Sequence, residues 1–110
     1  MKPSKYGAKV IHMDGHRFDS VKEAKRWCEL KLLLRAGEIL DLEPHPVFKL
    51  YAHGPEGPVG GRKYTADFQY REGNKIVVED VKSRTTVTEA YSLRRWVFRA
   101  NYPHIEFREV

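Results

Sequence analysis

The segment that most constrains the fold is Ile76-Val-Val-Glu-Asp80-Val-Lys82, which carries the densest β-branched run of the chain and ends in charged residues. Because β-branched residues favour strands, we predict a strand here. Successive side chains of a strand point to opposite faces, so Asp80 and Lys82 should project from the same side. A second carboxylate, Asp67, lies in the strand predicted before it. One lysine and two carboxylates at a strand end are typical of a site for a hard divalent cation and an activated water.

The size of the chain sets its domain count. Its 110 residues are enough for one hydrophobic core but too few for two, so we predict a single domain over residues 1–110. No apolar run approaches the roughly 20 residues of a membrane-crossing helix, and the N-terminus lacks the apolar stretch of a secretory signal. The single cysteine, Cys28, excludes an internal disulfide and a cysteine-based zinc site. We therefore expect a cytoplasmic protein without a membrane partner.

The charge balance favours a polyanionic partner. Twenty Lys and Arg residues against 15 Asp and Glu residues give a formal net charge of +5. Charge alone does not separate nucleic-acid binding from a basic surface without a partner. The five histidines show no helical ligand spacing, and we expect them to be surface or turn residues. Trp27 and Trp96 are expected to be core residues of two helices.

The first third of the chain carries clear turn and capping signals. Asp14-Gly15 predicts a hairpin between Lys9–Met13 and His16–Phe18. Ser20 followed by Glu23 is the pattern of a capping box, which predicts a helix from there to residue 36. Gly37 is suited to end that helix in the left-handed conformation.

The rest of the chain alternates strands and one helix. After a turn over Leu40 to Pro44, we predict the strands Pro46–Ala52, Lys63–Tyr70 and Lys75–Lys82, a helix capped by Thr88 or Thr86 that runs to about Ala100, and a last strand over His104–Glu109. The Gly- and Pro-rich segment 53–61 predicts a flexible loop, and we hypothesise that it is a flap contacting substrate. These elements indicate an α/β fold with one mixed sheet, two flanking helices and a small N-terminal hairpin.

This order, with these residues, resembles the PD-(D/E)xK nuclease superfamily, whose restriction-endonuclease-like core runs αβββαβ. The resemblance extends from about Arg17 to the C-terminus. The Ser-x-x-Glu-Ala helix start and the Ala-Asp-Phe…Glu-Asp-Val-Lys core also resemble a domain-of-unknown-function family of small phage-encoded proteins, akin to Holliday-junction resolvases and to the endonuclease subunits of some transposases. The resemblance implies a metal-dependent DNA endonuclease in the host cytoplasm that uses Mg²⁺ or Mn²⁺, with branched or structured DNA as its substrate class.

The resemblance also implies roles for individual residues. Asp67 matches the first carboxylate of the motif, although Ala66 stands where the motif has proline. Asp80 and Lys82 match the second acidic residue and the lysine, and Glu23 matches an acidic residue that many members supply from the first helix. Glu23, Asp67 and Asp80 would then hold the metal and, with Lys82, carry out catalysis.

Each of these residues also has a simpler interpretation. Asp80 and Lys82 would form an exposed ion pair on a strand, and Glu23 would bond the Ser20 amide in the capping box. Glu79 offers an alternative acid beside Asp80. Strand alternation favours Asp80 as the ligand and makes Glu79 a solvated or salt-bridged residue, but a bulge would reverse that assignment.

Basic residues after the catalytic strand are candidates for DNA contacts. The set is Arg84, Arg94, Arg95 and Arg99. A solvated helix face explains each of them equally well, and Arg95, one turn beyond Tyr91, is the preferred active-site neighbour. Two other functions stay open: a non-catalytic nucleic-acid-binding accessory protein on a nuclease-like scaffold, and a nuclease acting on RNA, for which the chain lacks a recognisable aromatic motif. A homodimer would supply two sites for paired cuts.

Overall fold

The structure is a computed structural model that describes residues 9–82 and 88–110. These residues form two helices, α1 (Val21–Arg35) and α2 (Glu89–Asn101), and eight strands. The strands are β1 (Ile11–Met13), β2 (His16–Phe18), β3 (Leu40–Pro44), β4 (Val47–Gly54), β5 (Gly57–Thr65), β6 (Phe68–Glu72), β7 (Lys75–Asp80) and β8 (Ile105–Glu109). The fold is α/β, and no helix among the described residues is long and apolar enough to cross a membrane.

Four strands form the central sheet in the order β3-β6-β7-β8. β6 is antiparallel to both β3 and β7, and β7 is parallel to β8, so the sheet is mixed. Adjacent residues of β7 face opposite sides, because Val77 packs with Trp27 of α1 whereas Val78 packs with Phe98 of α2. One helix therefore covers each face of the sheet.

The ends of the helices follow the predicted signals. The Ser20 hydroxyl accepts the Glu23 amide at 3.1 Å and caps α1. The Thr88 hydroxyl accepts the Tyr91 amide at 3.1 Å and caps α2. Gly37 has φ +76° just after α1, in the left-handed region where glycine carries little strain. The predicted hairpin of β1 and β2 is also present.

The segment between the helices differs from the prediction, because it contains five strands instead of three. The first strand of the sheet is β3, in a segment predicted to be a turn. The predicted strand Pro46–Ala52 belongs mainly to β4, which pairs with β5 in a separate two-stranded ribbon. The prediction of a flexible loop over 53–61 is wrong, since β4 reaches Gly54 and β5 starts at Gly57. Backbone hydrogen bonds between the strands do not depend on side chains, so glycine-rich sequence can pair in this way.

The ribbon and the sheet meet at a sharp bend. His45 has φ +54°, and its amide donates to the Asp67 carbonyl at 2.8 Å. The Ala66 amide donates to the Pro46 carbonyl at 3.0 Å. These bonds join β3 and β4 to β5 and β6 across the bend, so the predicted strand Lys63–Tyr70 is divided between ribbon and sheet. Asp67 lies at this corner, beside the end of β7.

The two tryptophans have different environments. Trp27 is 7% exposed and lies in the core between α1 and the sheet, as predicted. Trp96 is 71% exposed, so the prediction that it is a core residue is wrong. Phe98 is the α2 residue that is fully buried against the sheet. Because Trp96 is two residues away, it lies about 200° around the helix from Phe98 and points outward.

Candidate active site

Asp67 and Asp80 are joined through the backbone at one corner of the sheet. Asp80 is the last residue of β7, and its Oδ1 accepts the Asp67 amide at 3.1 Å. The Val81 amide donates in turn to Asp67 Oδ2 at 2.6 Å. The hydroxyl of Tyr64, on β5, donates to Asp80 Oδ2. The bend of the strand pair and the end of β7 thus bring the two predicted carboxylates together.

Glu23 reaches the same corner from the first turn of α1. Its side chain is nearly buried, and its Oε1 lies 3.0 Å from His45 Nε2. Its Oε2 accepts the Asp19 amide at 3.3 Å, not the Ser20 amide that a complete capping box would use. Ser20 alone therefore provides the predicted cap, and the Glu23 carboxylate is directed toward His45 and Asp67.

The electrostatics of the two aspartates are unusual. Burial raises the pKa of Asp67 to about 7, and the nearby Glu23 carboxylate raises it further. The hydrogen bond from the Val81 amide and the charge of His45 lower it. Burial likewise raises the pKa of Asp80 to about 6, against hydrogen bonds that favour the ionised form. Within the described part of the chain, neither aspartate forms an ion pair with a lysine or arginine. Buried carboxylates of this kind are normally paired or bound to a metal.

Glu79 provides a direct contrast, since it is adjacent to Asp80 but fully buried on the opposite face of β7. Arg26 of α1 binds it with two bonds, Nε to Oε1 at 2.8 Å and Nη2 to Oε2 at 2.7 Å. The Tyr70 hydroxyl also donates to it. The ladder between β6 and β7 is regular here, without a bulge. Of the two environments predicted for Glu79, solvated or salt-bridged, the structure shows the salt bridge. The charge of Glu79 is therefore compensated, whereas that of Asp80 is not.

Lys82 follows the end of β7 and is held by Glu109 of β8. Lys82 Nζ lies 3.0 Å from Glu109 Oε2, and Arg95 Nη1 lies 2.8 Å from Glu109 Oε1. The Tyr91 hydroxyl donates to Glu109 at 3.1 Å. Lys82 therefore pairs with Glu109 and not, as the simpler interpretation had it, with Asp80. Because β7 and β8 are parallel, their C-terminal ends share an edge, which brings Glu109 to the site.

Two residues of this corner were not predicted as site residues. Glu109 ends the last predicted strand, and a parallel arrangement of the last two strands would have indicated it. His45 was expected to be a surface or turn residue. It does occupy a turn, with its ring 5.5 Å from that of Phe18, but it also contacts Glu23. Nothing in the local sequence distinguishes His45 from the other four histidines.

The four arginines predicted to bind DNA do not form one group. Arg84 lies outside the described residues. Arg95 borders the site through Glu109, and its guanidinium lies 5.5 Å from the centre of the Tyr91 ring. Arg94 and Arg99 are exposed on α2 and line separate grooves, Arg94 toward the ribbon and Arg99 toward β8.

The donor atoms fit a hard divalent cation only in part. Among residues 9–82 and 88–110, no set of three or more His, Cys, Asp or Glu side chains is gathered closely enough to hold a metal ion. Mg²⁺ is commonly bound by one or two carboxylates and several waters, however. Asp67 and Asp80 supply such a pair, and a cation there would compensate one buried and one partly buried charge. Their chemistry fits Mg²⁺ or Mn²⁺, and Glu23 is a further carboxylate whose charge acts on both aspartates.

Comparison with known proteins gives a family but no closer relative. No curated protein and no solved structure matches the chain. The model of the family described as "Protein of unknown function (DUF1064)" matches residues 3–110, which is nearly the whole sequence. The chain therefore belongs to the DUF1064 family.

Proposed function

We propose that this protein is a metal-dependent DNA endonuclease that hydrolyses phosphodiester bonds and acts on branched or structured DNA. Asp67 and Asp80 would hold Mg²⁺ or Mn²⁺, with Glu23 beside them and Lys82 as the catalytic cation. One observation carries the proposal: the buried Asp80 and the partly buried Asp67 form an acidic pair without a lysine or arginine partner among the described residues, while the adjacent Glu79 has Arg26. If the acidic residues of β7 served only to stabilise the fold, we would expect a basic partner for Asp80 as well as for Glu79.

The architecture supports this proposal. In chain order, α1, β3, β6, β7, α2 and β8 form a four-stranded sheet with one helix on each face. This order agrees with the αβββαβ core that the resemblance implies, with the ribbon of β4 and β5 as an insertion after its first strand. Asp67 directly precedes β6 and Asp80 ends β7, so the two carboxylates flank the second and third strands of this core.

The residues of the corner can divide the chemistry of hydrolysis among them. A bound divalent cation would supply a water of lowered pKa and neutralise charge on the phosphate. Glu23, whose Oε1 lies 3.0 Å from His45 Nε2, can accept the proton that the attacking water loses, and His45 would hold the carboxylate in place. Lys82 Nζ can donate to a phosphate oxygen and stabilise its negative charge once it leaves Glu109. Arg95 can take over the Glu109 carboxylate when Lys82 moves, since it already contacts both of its oxygens.

A second function has specific support. Glu23 is engaged by His45, and Lys82 by Glu109, so both groups have partners without any substrate. A non-catalytic DNA-binding accessory protein on a nuclease-like scaffold would be built this way. Loss of cleavage, with DNA binding retained, on mutation of the carboxylates separates the two functions.

The test is cleavage of labelled linear, nicked and four-way-junction DNA in Mg²⁺, in Mn²⁺ and in EDTA. Wild-type protein should cut at least one substrate with either metal and none in EDTA. Asp67→Ala should abolish cutting, which excludes a contaminating nuclease. Glu38→Ala removes an exposed carboxylate away from the corner and should cut like the wild type. If no substrate is cut but DNA is still bound, the accessory function is correct.

A further inference from the structure

A groove runs between the β4–β5 ribbon and α2, away from the carboxylate corner. We call it the ribbon groove; its volume is about 800 Å³, and its lining includes Tyr51, Val59, Arg62, Lys63, Leu93 and Arg94. It shares Tyr51 and Val97 with a second hollow of about 680 Å³, which reaches Trp96 and His53. The two form one continuous surface along α2.

The walls of the ribbon groove are fixed to each other. Asn101 of α2 forms two hydrogen bonds with the backbone of Tyr51 in the ribbon. Its Oδ1 accepts the Tyr51 amide at 2.6 Å, and its Nδ2 donates to the Tyr51 carbonyl at 3.0 Å. The Tyr102 hydroxyl donates to the Lys49 carbonyl at 2.8 Å. Beneath these bonds, Leu50 packs in the same core cluster as Phe98. The groove is thus formed before any ligand binds, which lowers the entropic cost of binding.

The groove has a one-sided charge. Among the described residues that line it, none is acidic. Arg62, Lys63 and Arg94 form no ion pair with any other described residue. Arg62 is directly opposite Leu50 in the β4–β5 ladder, and Leu50 packs with Phe98 of α2, so the Arg62 side chain projects from the face of the ribbon that α2 covers. An anion in the groove would meet Arg62 and Arg94.

Large apolar side chains are exposed in the groove and in the adjoining hollow. Trp96 is 71% exposed, Leu93 55% and Tyr51 42%. The Tyr51 ring lies against the Gly60 backbone, where a Cβ atom would come within 3.1 Å of the ring. A cationic groove with exposed aromatic faces is the arrangement that binds unpaired nucleic-acid strands, because phosphates meet the cations while bases stack on the rings. The bases of a duplex are stacked on one another and offer no such free face.

We propose that the ribbon groove binds an unpaired stretch of DNA strand, with its phosphates on Arg62 and Arg94 and a base stacked on Trp96 in the adjoining hollow. This inference rests on the proposed nuclease function and names its substrate: DNA with a single-stranded segment next to the cut. β5 leads directly from the groove to the corner, since Lys63 precedes Asp67 by four residues. The eleven residues of α2 from Tyr91 to Asn101 span about 15 Å between their first and last Cα atoms, enough for about four phosphates of a stacked strand.

The test is the affinity of fluorescein-labelled 15-nucleotide oligothymidine, measured by anisotropy in EDTA so that cleavage plays no part. Trp96→Ala should weaken binding by about 5- to 100-fold, the range of one base–aromatic stack. Arg62→Gln with Arg94→Gln should reduce the slope of log K against log[salt] by about 1.4, at about 0.7 for each phosphate contact. Arg35→Gln removes an exposed charge at the end of α1 on the opposite face of the sheet and serves as the matched control. Each variant's urea midpoint checks that it is folded.

The outcomes separate this inference from the nuclease proposal. Weaker oligothymidine binding by the groove variants supports the groove even if no DNA is ever cut, in which case only the nuclease proposal fails. Groove variants that bind and cut like the wild type overturn the groove inference alone. Analytical ultracentrifugation tests whether the exposed surface around Trp96 instead joins two copies of the chain. If Trp96→Ala converts a dimer to a monomer and leaves the affinity for oligothymidine unchanged, the groove inference is wrong.

Discussion

Replacing Asp80 by asparagine should stabilise the metal-free protein at pH 8, although Asp80 is a proposed metal ligand. Asp80 is 7% exposed, and burial raises its pKa from 3.8 to about 6. The folded state therefore disfavours the charged carboxylate that predominates at pH 8. Asparagine has nearly the same shape, can still accept the Asp67 amide at its Oδ1, and can donate to the Tyr64 oxygen.

The size of the effect follows from linkage between protonation and folding. A pKa that rises from 3.8 to about 6 on folding removes about 3 kcal/mol of stability at pH 8. Because the folded pKa is the higher one, this stability is present below pH 3.8 and is lost as the pH rises through 6. At pH 5 the loss is only about half as large. Burial of the asparagine amide offsets part of the gain, so we expect Asp80→Asn to be more stable by about 1–2 kcal/mol at pH 8.

The assay is urea unfolding in EDTA at pH 5 and pH 8, for the wild type and for two variants of adjacent residues. Asp80→Asn should gain more stability at pH 8 than at pH 5. Glu79→Gln should lose stability at both pH values, because it leaves Arg26 without its buried partner. Equal stability changes at the two pH values, or a less stable Asp80→Asn at pH 8, would refute the claim that the Asp80 charge is uncompensated.

Three further predictions follow from the same geometry. Arg26→Met should destabilise the protein by about 3–5 kcal/mol in urea unfolding, because Glu79 would be left buried and unpaired. Adding Glu79→Leu should restore most of that stability, and an Arg26→Met variant as stable as the wild type would contradict the prediction. The cleavage rate should rise between pH 5 and pH 8, since Asp67 and Asp80 must ionise to bind a cation. The midpoint pH of this rise should fall as the Mg²⁺ concentration increases, and a cleavage rate independent of pH would argue against these ligands. Glu109→Gln should move the midpoint pH of cleavage lower, because the Glu109 charge raises the pKa of Asp80. A shift to higher pH would contradict this effect of Glu109 on Asp80.

Local signals were sufficient to predict the helices but not the strand pairing. Ser20, Thr88 and Gly37 act through hydrogen bonds and backbone angles within a few residues, so the sequence predicts them directly. β3 has the sequence Leu-Asp-Leu-Glu-Pro, which carries little strand signal, and it forms because β6 is available as a partner. The bend at His45 depends on hydrogen bonds to residues about 20 positions later, which local patterns do not contain.

The same distinction applies to the candidate site. Asp67, Asp80 and Lys82 could be predicted as site residues because they lie close together in the sequence, in a short motif on adjacent predicted strands. Glu109 and His45 come to the corner through the sheet order and the bend, and the side chains that they contact are 14 or more positions away in the chain. Tertiary contacts of this length are set by packing and are not visible in a single sequence.

The central claim is that Asp80 supports catalysis and not folding. It is tested most directly by single-turnover cleavage of four-way-junction DNA in Mg²⁺, comparing the wild type with Asp80→Asn under conditions in which both are folded and bind the DNA. The account predicts that Asp80→Asn is at least as stable, binds the junction with an affinity within about threefold of the wild type, and cuts it at least about 10³-fold more slowly. Equal cleavage rates for the two proteins would contradict the account.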